Sequence, residues 1–301
     1  MYGSRRASAA SMEASIAMAF FTWQRSVRAA IGGAVLSTAL LMPSPAHAQY
    51  SAPDFTDGAI GEKYWIEVSG TLWNPSLFGQ ISSEQFGLVG SNIDFTDDLG
   101  YETTRFKDLR IVLRPSRKSK FKIQYTPMRY EAETSFTRTI VFNGVSYPLG
   151  VPIESSFDWK VWRFGYQYDF LYMSRGSLGF LLDVRWTQMD ARLATNSPAI
   201  SPRYDEFTTV KAPLPAIGLV GRAYPLQALA VNFEISGMKV PDIDPNYQGN
   251  YMEWDLNGTF NVTNNVGVSM GWRKSNTFVG IEKDLGDLKF QGLWFGAALR
   301  Y

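Results

Sequence analysis

Strict alternation of apolar and polar residues, repeated in segment after segment, most constrains what this chain can fold into. From Tyr251 to Val262 one face carries Met252, Trp254, Leu256, Phe260 and Val262, and the other Glu253, Asp255, Asn257, Thr259 and Asn261. Successive side chains point to opposite faces only in a strand, so this pattern predicts a half-buried β-strand. Asn264-Asn265 follows as a tight turn. Val266 to Arg273 then sets Val266, Val268, Met270 and Trp272 against Gly267, Ser269, Gly271 and Arg273. Two strands joined so closely form an antiparallel hairpin.

The same rhythm recurs along the chain. Trp162, Phe164, Tyr166, Tyr168 and Phe170 oppose Arg163, Gln167 and Asp169, while Leu178, Phe180, Leu182, Val184 and Trp186 oppose Asp183, Arg185 and Thr187. Leu229, Val231, Phe233 and Ile235 oppose Asn232, Glu234 and Ser236, and Tyr64, Ile66, Val68 and Leu72 oppose Glu67, Ser69 and Thr71. Ten strands are expected, at about 63–73, 104–114, 120–142, 145–170, 176–191, 207–224, 228–238, 250–262, 266–282 and 288–301, with eight as the alternative count. Pro213 and Pro215 sit badly in the middle of a closed ladder, because proline has no N–H to donate. Long connections (74–103, 192–206, 239–249) alternate with short ones (115–119, 173–176, 225–227, 263–265). Tight turns at Asn143-Gly144 and near Leu285-Gly286 predict strands that run on as protruding hairpins.

Residues 25–48 carry an address. Arg25 and Arg28 precede an uncharged apolar run from Ala29 to Met42, which ends in Ala46-His47-Ala48. That is the layout of a signal peptide cleaved between Ala48 and Gln49. The run is too short for a helix that crosses about 30 Å of hydrocarbon. Met1, Met12 and Met18 are all candidate starts. The expected division is an extension and signal over 1–48, a periplasmic segment over 49–62 and a barrel over 63–301. Cleavage removes Arg5, Arg6, Arg25, Arg28 and Glu13 and takes the net charge from +1 to −2. It also removes His47, the only histidine, from a chain that has no cysteine.

The alternating faces decide which side is wet. The apolar face is rich in Trp, Tyr and Phe near strand ends, as in the aromatic girdles of a barrel that meets lipid. Opposite it, Glu67, Asp108, Asp169, Asp183, Glu234, Glu253 and Asp255 match Arg110, Lys122, Arg163, Arg185, Arg222, Arg273 and Arg300 in number. An unpaired interior charge is costly, so equal numbers suit a lumen crossed by ion pairs. Long loops on one side, short turns on the other and an exported chain together predict an all-β, antiparallel up-and-down transmembrane barrel in the outer membrane.

The stretch Gln291–Tyr301 alternates Leu293, Phe295, Ala297, Leu299 and Tyr301. It resembles the C-terminal recognition strand of outer-membrane barrels, with Gly296, Leu299 and Tyr301 at matching places, although Phe is the commoner last residue. Ile93–Gly100, the hairpin Ile140–Gly150 with Ser155 or Ser156, and the hairpin from Asn264 to Arg273 resemble stretches of small, mostly uncharacterised proteobacterial barrels of OmpA/OmpW-type architecture. The resemblance implies a fold and a location, not an activity. Its implied partners are outer-membrane lipid and lipopolysaccharide, with the barrel-assembly machinery and periplasmic chaperones during biogenesis.

Chemistry is limited by what is missing. Without histidine or cysteine in the mature chain, nucleophile–histidine triads and thiolate metal sites are unavailable. No catalytic residue, cofactor or metal is expected, and a near-neutral charge implies no nucleic-acid partner. Asp94, Asp97, Asp98 and Glu102 offer hard oxygen donors for a divalent cation, yet their spacing completes no cation loop. They read better as an acidic solvated loop. Arg117, Lys118 and Lys120 read as a solvated periplasmic turn, and Gly144 and Gly150 as backbone devices. Two functions remain open: a narrow channel or passive carrier for small solutes, and a closed structural or surface-binding barrel without transport.

Processing is directly measurable. Intact mass of protein taken from outer membranes is expected to correspond to a chain beginning at Gln49, and a mass that retains His47 contradicts the cleavage site.

Overall fold

The computed structural model describes residues 59–82, 91–142, 145–195, 205–239, 247–281 and 284–301. The signal segment, including Ala46, Ala48 and Gln49, lies outside them, as do Asn143 and Gly144. Among the described residues the structure is all-β. The strands are β1 (Ile66–Trp73), β2 (Ser76–Ser82), β3 (Ile93–Asp94), β4 (Phe106–Leu113), β5 (Ser119–Ser135), β6 (Ile140–Phe142) and β7 (Val145–Tyr147), followed by β8 (Pro152–Met173), β9 (Gly176–Ala194), β10 (Asp205–Leu226), β11 (Leu229–Lys239), β12 (Tyr247–Asn261), β13 (Val266–Ile281) and β14 (Asp284–Arg300).

All of these except β6 and β7 share one antiparallel sheet, which closes on itself where β1 meets β14. Closure runs from Glu67↔Arg300 to Trp73↔Trp294, and Ser76↔Gln291 continues the same alignment in β2. β1 and β2 are thus one barrel strand interrupted at Asn74-Pro75, with β3 a short addition to its upper half. Counted so, the barrel has ten strands. Its ends are sealed by the backbone: Tyr301 donates to Ile66 O at 2.9 Å, and Trp65 and Ile66 donate to Tyr301 O.

Alternation translates directly into inside and outside. Phe180, Leu182, Val184 and Trp186 of β9 are exposed, while Leu181, Asp183, Arg185 and Thr187 between them are buried. Phe180 and Leu182 are 55% and 56% exposed, and Phe164, Phe233, Leu256, Met270 and Phe295 continue the outward apolar band on neighbouring strands. So large a continuous apolar surface is stable only against lipid. A tilted strand needs about 9–11 residues to cross a bilayer. β8 and β10 each have 22, so the barrel extends well beyond the hydrocarbon.

Several boundaries differ from the sequence reading. Tyr64 is buried inside rather than outward, because the chain enters the barrel before β1 begins. The region read as a long loop over 74–103 contains β2 and β3 and completes the first barrel strand. Strands at 120–142 and 145–170 do not run on as a protruding hairpin. β5 stops at Ser135, and β6–β7 form a separate ribbon whose Ile140, Phe142 and Tyr147 are buried in the barrel mouth. Leu285 and Gly286 are not a turn but pair with Gly280 and Val279 inside the ladder. β10 passes through Pro213 and Pro215 because β11 first pairs with it at Ile217. Above that point β10 bonds only to β9, so the prolines sit where one edge is free of partners among the described residues.

The lipid-facing side is tested by charge. Leu256→Arg is expected to cost about 2–4 kcal/mol in lipid vesicles if position 256 lies near the bilayer midplane. Urea unfolding measures it, and an unchanged midpoint contradicts the outward orientation.

Candidate functional site

Among the described residues the interior collects most of the chemistry-bearing side chains, and it divides into three layers. The lowest lies at the end with short turns. There Glu62, in the stretch leading into β1, pairs with Arg114 at 2.7 Å and with Arg222 at 2.6 Å, and accepts a hydrogen bond from Tyr224. Arg300 pairs with Glu67 at 2.5 Å and donates to Asn261 at 2.7 Å, while Lys120 pairs with Asp169 at 2.9 Å. The Tyr64 ring lies under both Arg114 and Arg300, at 5.2 and 5.7 Å, within cation–π range. Gly61 permits this approach. Its φ of +84° favours glycine, and a Cβ there would come within 2.6 Å of Arg300 Nη1.

The middle layer is a web of guanidinium–carboxylate contacts. Arg163 of β8 donates to Asp183 of β9 at 2.5 Å through Nε, and reaches Glu234 of β11 at 2.6 Å and Glu253 of β12 at 3.5 Å. Arg185 grips Glu253 with two bonds, 2.9 and 3.1 Å, and its guanidinium lies 4.3 Å from the Tyr251 ring centroid. Lys122 pairs with Glu234 at 2.8 Å. Arg273 joins Asp255 at 2.9 Å to Asp108 at 3.0 Å, between the rings of Trp73 and Trp294. Trp294 donates to Asp255, and Gln124 to Asp108. Arg110 donates through Nε to Gln124 at 3.0 Å.

The uppermost layer is apolar. Trp73, Leu77, Ile93, Phe95, Tyr101, Phe106, Tyr130, Phe136, Ile140, Phe142, Tyr147, Phe157, Trp159 and Phe290 form one buried cluster across the barrel mouth. Phe95 packs on Phe157 at 5.4 Å and Tyr130 meets Phe106 edge-on at 5.1 Å, geometries that aromatic pairs prefer. The turn after β3 is held by its own carboxylates. Asp94 accepts from the Thr96 and Asp97 amides, and Asp98 accepts from the Asp94 amide at 2.9 Å and from Arg138 at 2.6 Å. Burial alone would raise the Asp98 carboxyl, but the Arg138 and Asp94 hydrogen bonds hold it below the usual carboxylate range. Asp94 and Asp98 are therefore part of a folded turn clasped by Arg138, whereas Asp97 and Glu102 are exposed, as a solvated loop would have them. Among the described residues no cluster of carboxylates is gathered as for a metal ion.

The interior bases are Arg110, Arg114, Lys120, Lys122, Arg163, Arg185, Arg222, Arg273 and Arg300, and the acids are Glu62, Glu67, Asp108, Asp169, Asp183, Glu234, Glu253 and Asp255. All fourteen charges singled out in the sequence point inward. Three more belong with them. Lys120 is buried against Asp169 rather than solvated, as its parity with Lys122 and Gln124 implies. Arg114 shares the parity of Asp108 and Arg110, whereas Glu62 precedes any alternation and has no sequence signature. Of the closing strand, Gly296 faces Thr71 across the ladder, while Leu299 and Tyr301 are exposed on the outer face.

A cavity of about 110 Å³ lies among Arg110, Lys122, Arg222, Glu234 and Arg300, and a second of about 40 Å³ lies under Trp73, Met128, Trp159 and Phe290. Arg163, Glu253 and Arg273 line both and so stand between them.

No family model and no curated protein matches the chain. Among solved structures, the outer membrane protease OmpT from Escherichia coli superposes with a TM-score of 0.51 at 11% identity, over 78% of this chain and 96% of that one. This chain has the outer-membrane β-barrel fold. Two looser likenesses are Ail, the attachment invasion locus protein of Yersinia pestis (TM-score 0.34, 12% identity, 78% and 99% covered), and the Pseudomonas putida toluene transporter TodX (0.35, 7%, 82% and 96%). The narrower OmpA/OmpW-type likeness has no matching family behind it. At such identities the shared property of this outer-membrane barrel is the fold alone.

The ion-pair web is expected to be essential to the barrel's stability. Arg273→Glu places an acid between Asp255 and Asp108 and should cost about 3–5 kcal/mol. Arg129→Gln, on the exposed outer face, should leave the urea midpoint nearly unchanged. Equal urea midpoints for the two variants would contradict the buried network.

Proposed function

We propose that this protein is a closed, non-catalytic outer-membrane barrel whose capped outer end offers a rigid surface for contact with lipopolysaccharide or with material outside the cell. The observation that carries this reading is the lumen. An aromatic cap lies over two small cavities, and Arg163, Glu253 and Arg273 separate them. A porin-like pore leaves a continuous aqueous path; the ion pairs of Arg163, Glu253 and Arg273 between the two cavities support the closed reading. The absence of histidine among the described residues, and the engagement of every interior carboxylate by a base, support a non-catalytic role. In this reading the chain is exported with cleavage after Ala48, and the Gly296–Leu299–Tyr301 strand is read by the barrel-assembly machinery.

Planar-bilayer recording tests it. The refolded protein is expected to insert without step-like conductance. Reproducible unitary steps would overturn closure and favour the narrow channel or passive carrier instead.

A further inference from the structure

On the lipid-facing wall the outward side chains change character from one row of the ladder to the next. Tyr125 of β5, Trp162 of β8, Trp186 of β9 and Pro213 of β10 are cross-strand partners in succession. Tyr125 and Trp162 stack at 4.5 Å, and Trp162 and Trp186 are exposed. Toward the short turns β9 stays apolar outward from Leu178 to Trp186, about the 9–11 residues that a tilted strand needs to cross hydrocarbon. The aromatics therefore mark the membrane interface on the side of the long loops. One step beyond them the row reads Pro127, Lys160, Gln188 and Lys211, and Lys107 of β4 stands the same step beyond Leu109, the partner of Tyr125. All three lysines are exposed, and none has a carboxylate within ion-pair distance among the described residues. They stand on every second strand, about 10 Å apart, since neighbouring strands lie about 4.8 Å apart. The acids of the following row are engaged by other groups: Asp158 accepts two bonds from Arg129, at 2.8 and 2.9 Å, and Asp190 accepts one from Gln188 at 3.0 Å.

We propose that Lys107, Lys160 and Lys211 form a binding site for the phosphates of a phosphorylated glycolipid in the outer leaflet, whose acyl chains lie along the aromatic row and the apolar band beneath it. A lysine can lay its apolar stem along such a wall while its ammonium reaches the level of the head groups. Three ammonium groups spread along one row suit a sugar head group that carries more than one phosphate. A phospholipid with a single phosphate engages one of them at a time. The site lies on the side wall rather than on the cap and needs only the membrane-spanning fold, so it stands or falls separately from closure of the lumen.

The test uses the folded protein in a non-ionic detergent, with diphosphoryl lipid A titrated in and bound lipid read by native mass spectrometry. Lipid A is expected to bind. Dephosphorylated lipid A and phosphatidylglycerol should bind about ten-fold more weakly, having one phosphate or none to meet three lysines. Lys160→Gln should weaken lipid A binding about five-fold, and Lys107→Gln, Lys160→Gln and Lys211→Gln together about a hundred-fold, the scale of lysines beside an anionic surface. The same three positions changed to Arg should keep it, as should Lys118→Gln, which removes an exposed lysine at the short-turn end. Phosphatidylglycerol or dephosphorylated lipid A binding as tightly as lipid A overturns the proposal, as does an unchanged affinity in the triple Gln variant. Should that variant not fold, Lys160→Gln alone decides: a weakened affinity supports the site, and an unchanged one overturns it.

Discussion

Closure of β1 onto β14 is the interaction on which the rest of the structure depends. In hydrocarbon an unpaired backbone N–H or carbonyl has no water to turn to, so a sheet survives there only without edges. The long β14 meets this need by pairing along its lower half with β1 and along its upper half with β2, across the break at Asn74-Pro75. Once the circle is shut, the side chains sort themselves. One face of every strand must meet lipid, and the other is confined in a space whose width the strand number fixes.

That confinement explains the character of the lumen. Ten strands leave more room than single apolar side chains of one layer readily fill, and long arginines bridge it. Arg163 reaches carboxylates on β9, β11 and β12, and Arg273 links β12 to β4. A guanidinium suits this work better than an ammonium because its donors fan out in a plane and its faces stack on rings. Arg273 between Trp73 and Trp294, and Arg185 against Tyr251, use both properties. Buried pairs of this kind are weak evidence for net stability, since desolvation offsets much of their attraction. What they do supply is a penalty for any register other than the native one, because a slip by one residue would turn every charge toward lipid.

Most of the barrel was legible in the sequence because period-two alternation reports burial residue by residue. Phe180, Leu182 and Val184 could face only one solvent if Asp183 and Arg185 faced the other, and the aromatic girdle said which. The mouth of the barrel was not legible. Its core draws Phe95 and Tyr101 from one segment, Phe136, Ile140 and Tyr147 from another and Phe290 from a third. No period links residues so far apart, and their aromatic content was indistinguishable from lipid-facing girdle. Pro213 and Pro215 misled for a different reason. The rule against proline in a ladder holds only where both edges are paired, and strand ends at different heights cannot be read from one strand alone.

The cap and the ion-pair layer close the same tube by opposed physics, and this bears on how the barrel is held shut. An aromatic core gains from excluding water and is not subject to charge screening, whereas charge pairs weaken as water and counter-ions reach them. Stacked in this order, the apolar layer shields the polar one from the side of the long loops, and Glu62 with Tyr64 covers it from the other. The charges in the middle are therefore kept in an environment where their mutual attraction is least screened. Arg138 and Asp98, at the rim of the cap, are the exception. Arg138 is half exposed, so that clasp contributes geometry to the turn after β3 more than it contributes energy. The order of layers, apolar outside and charged within, makes the cap the element whose packing controls how strongly the lumen charges interact.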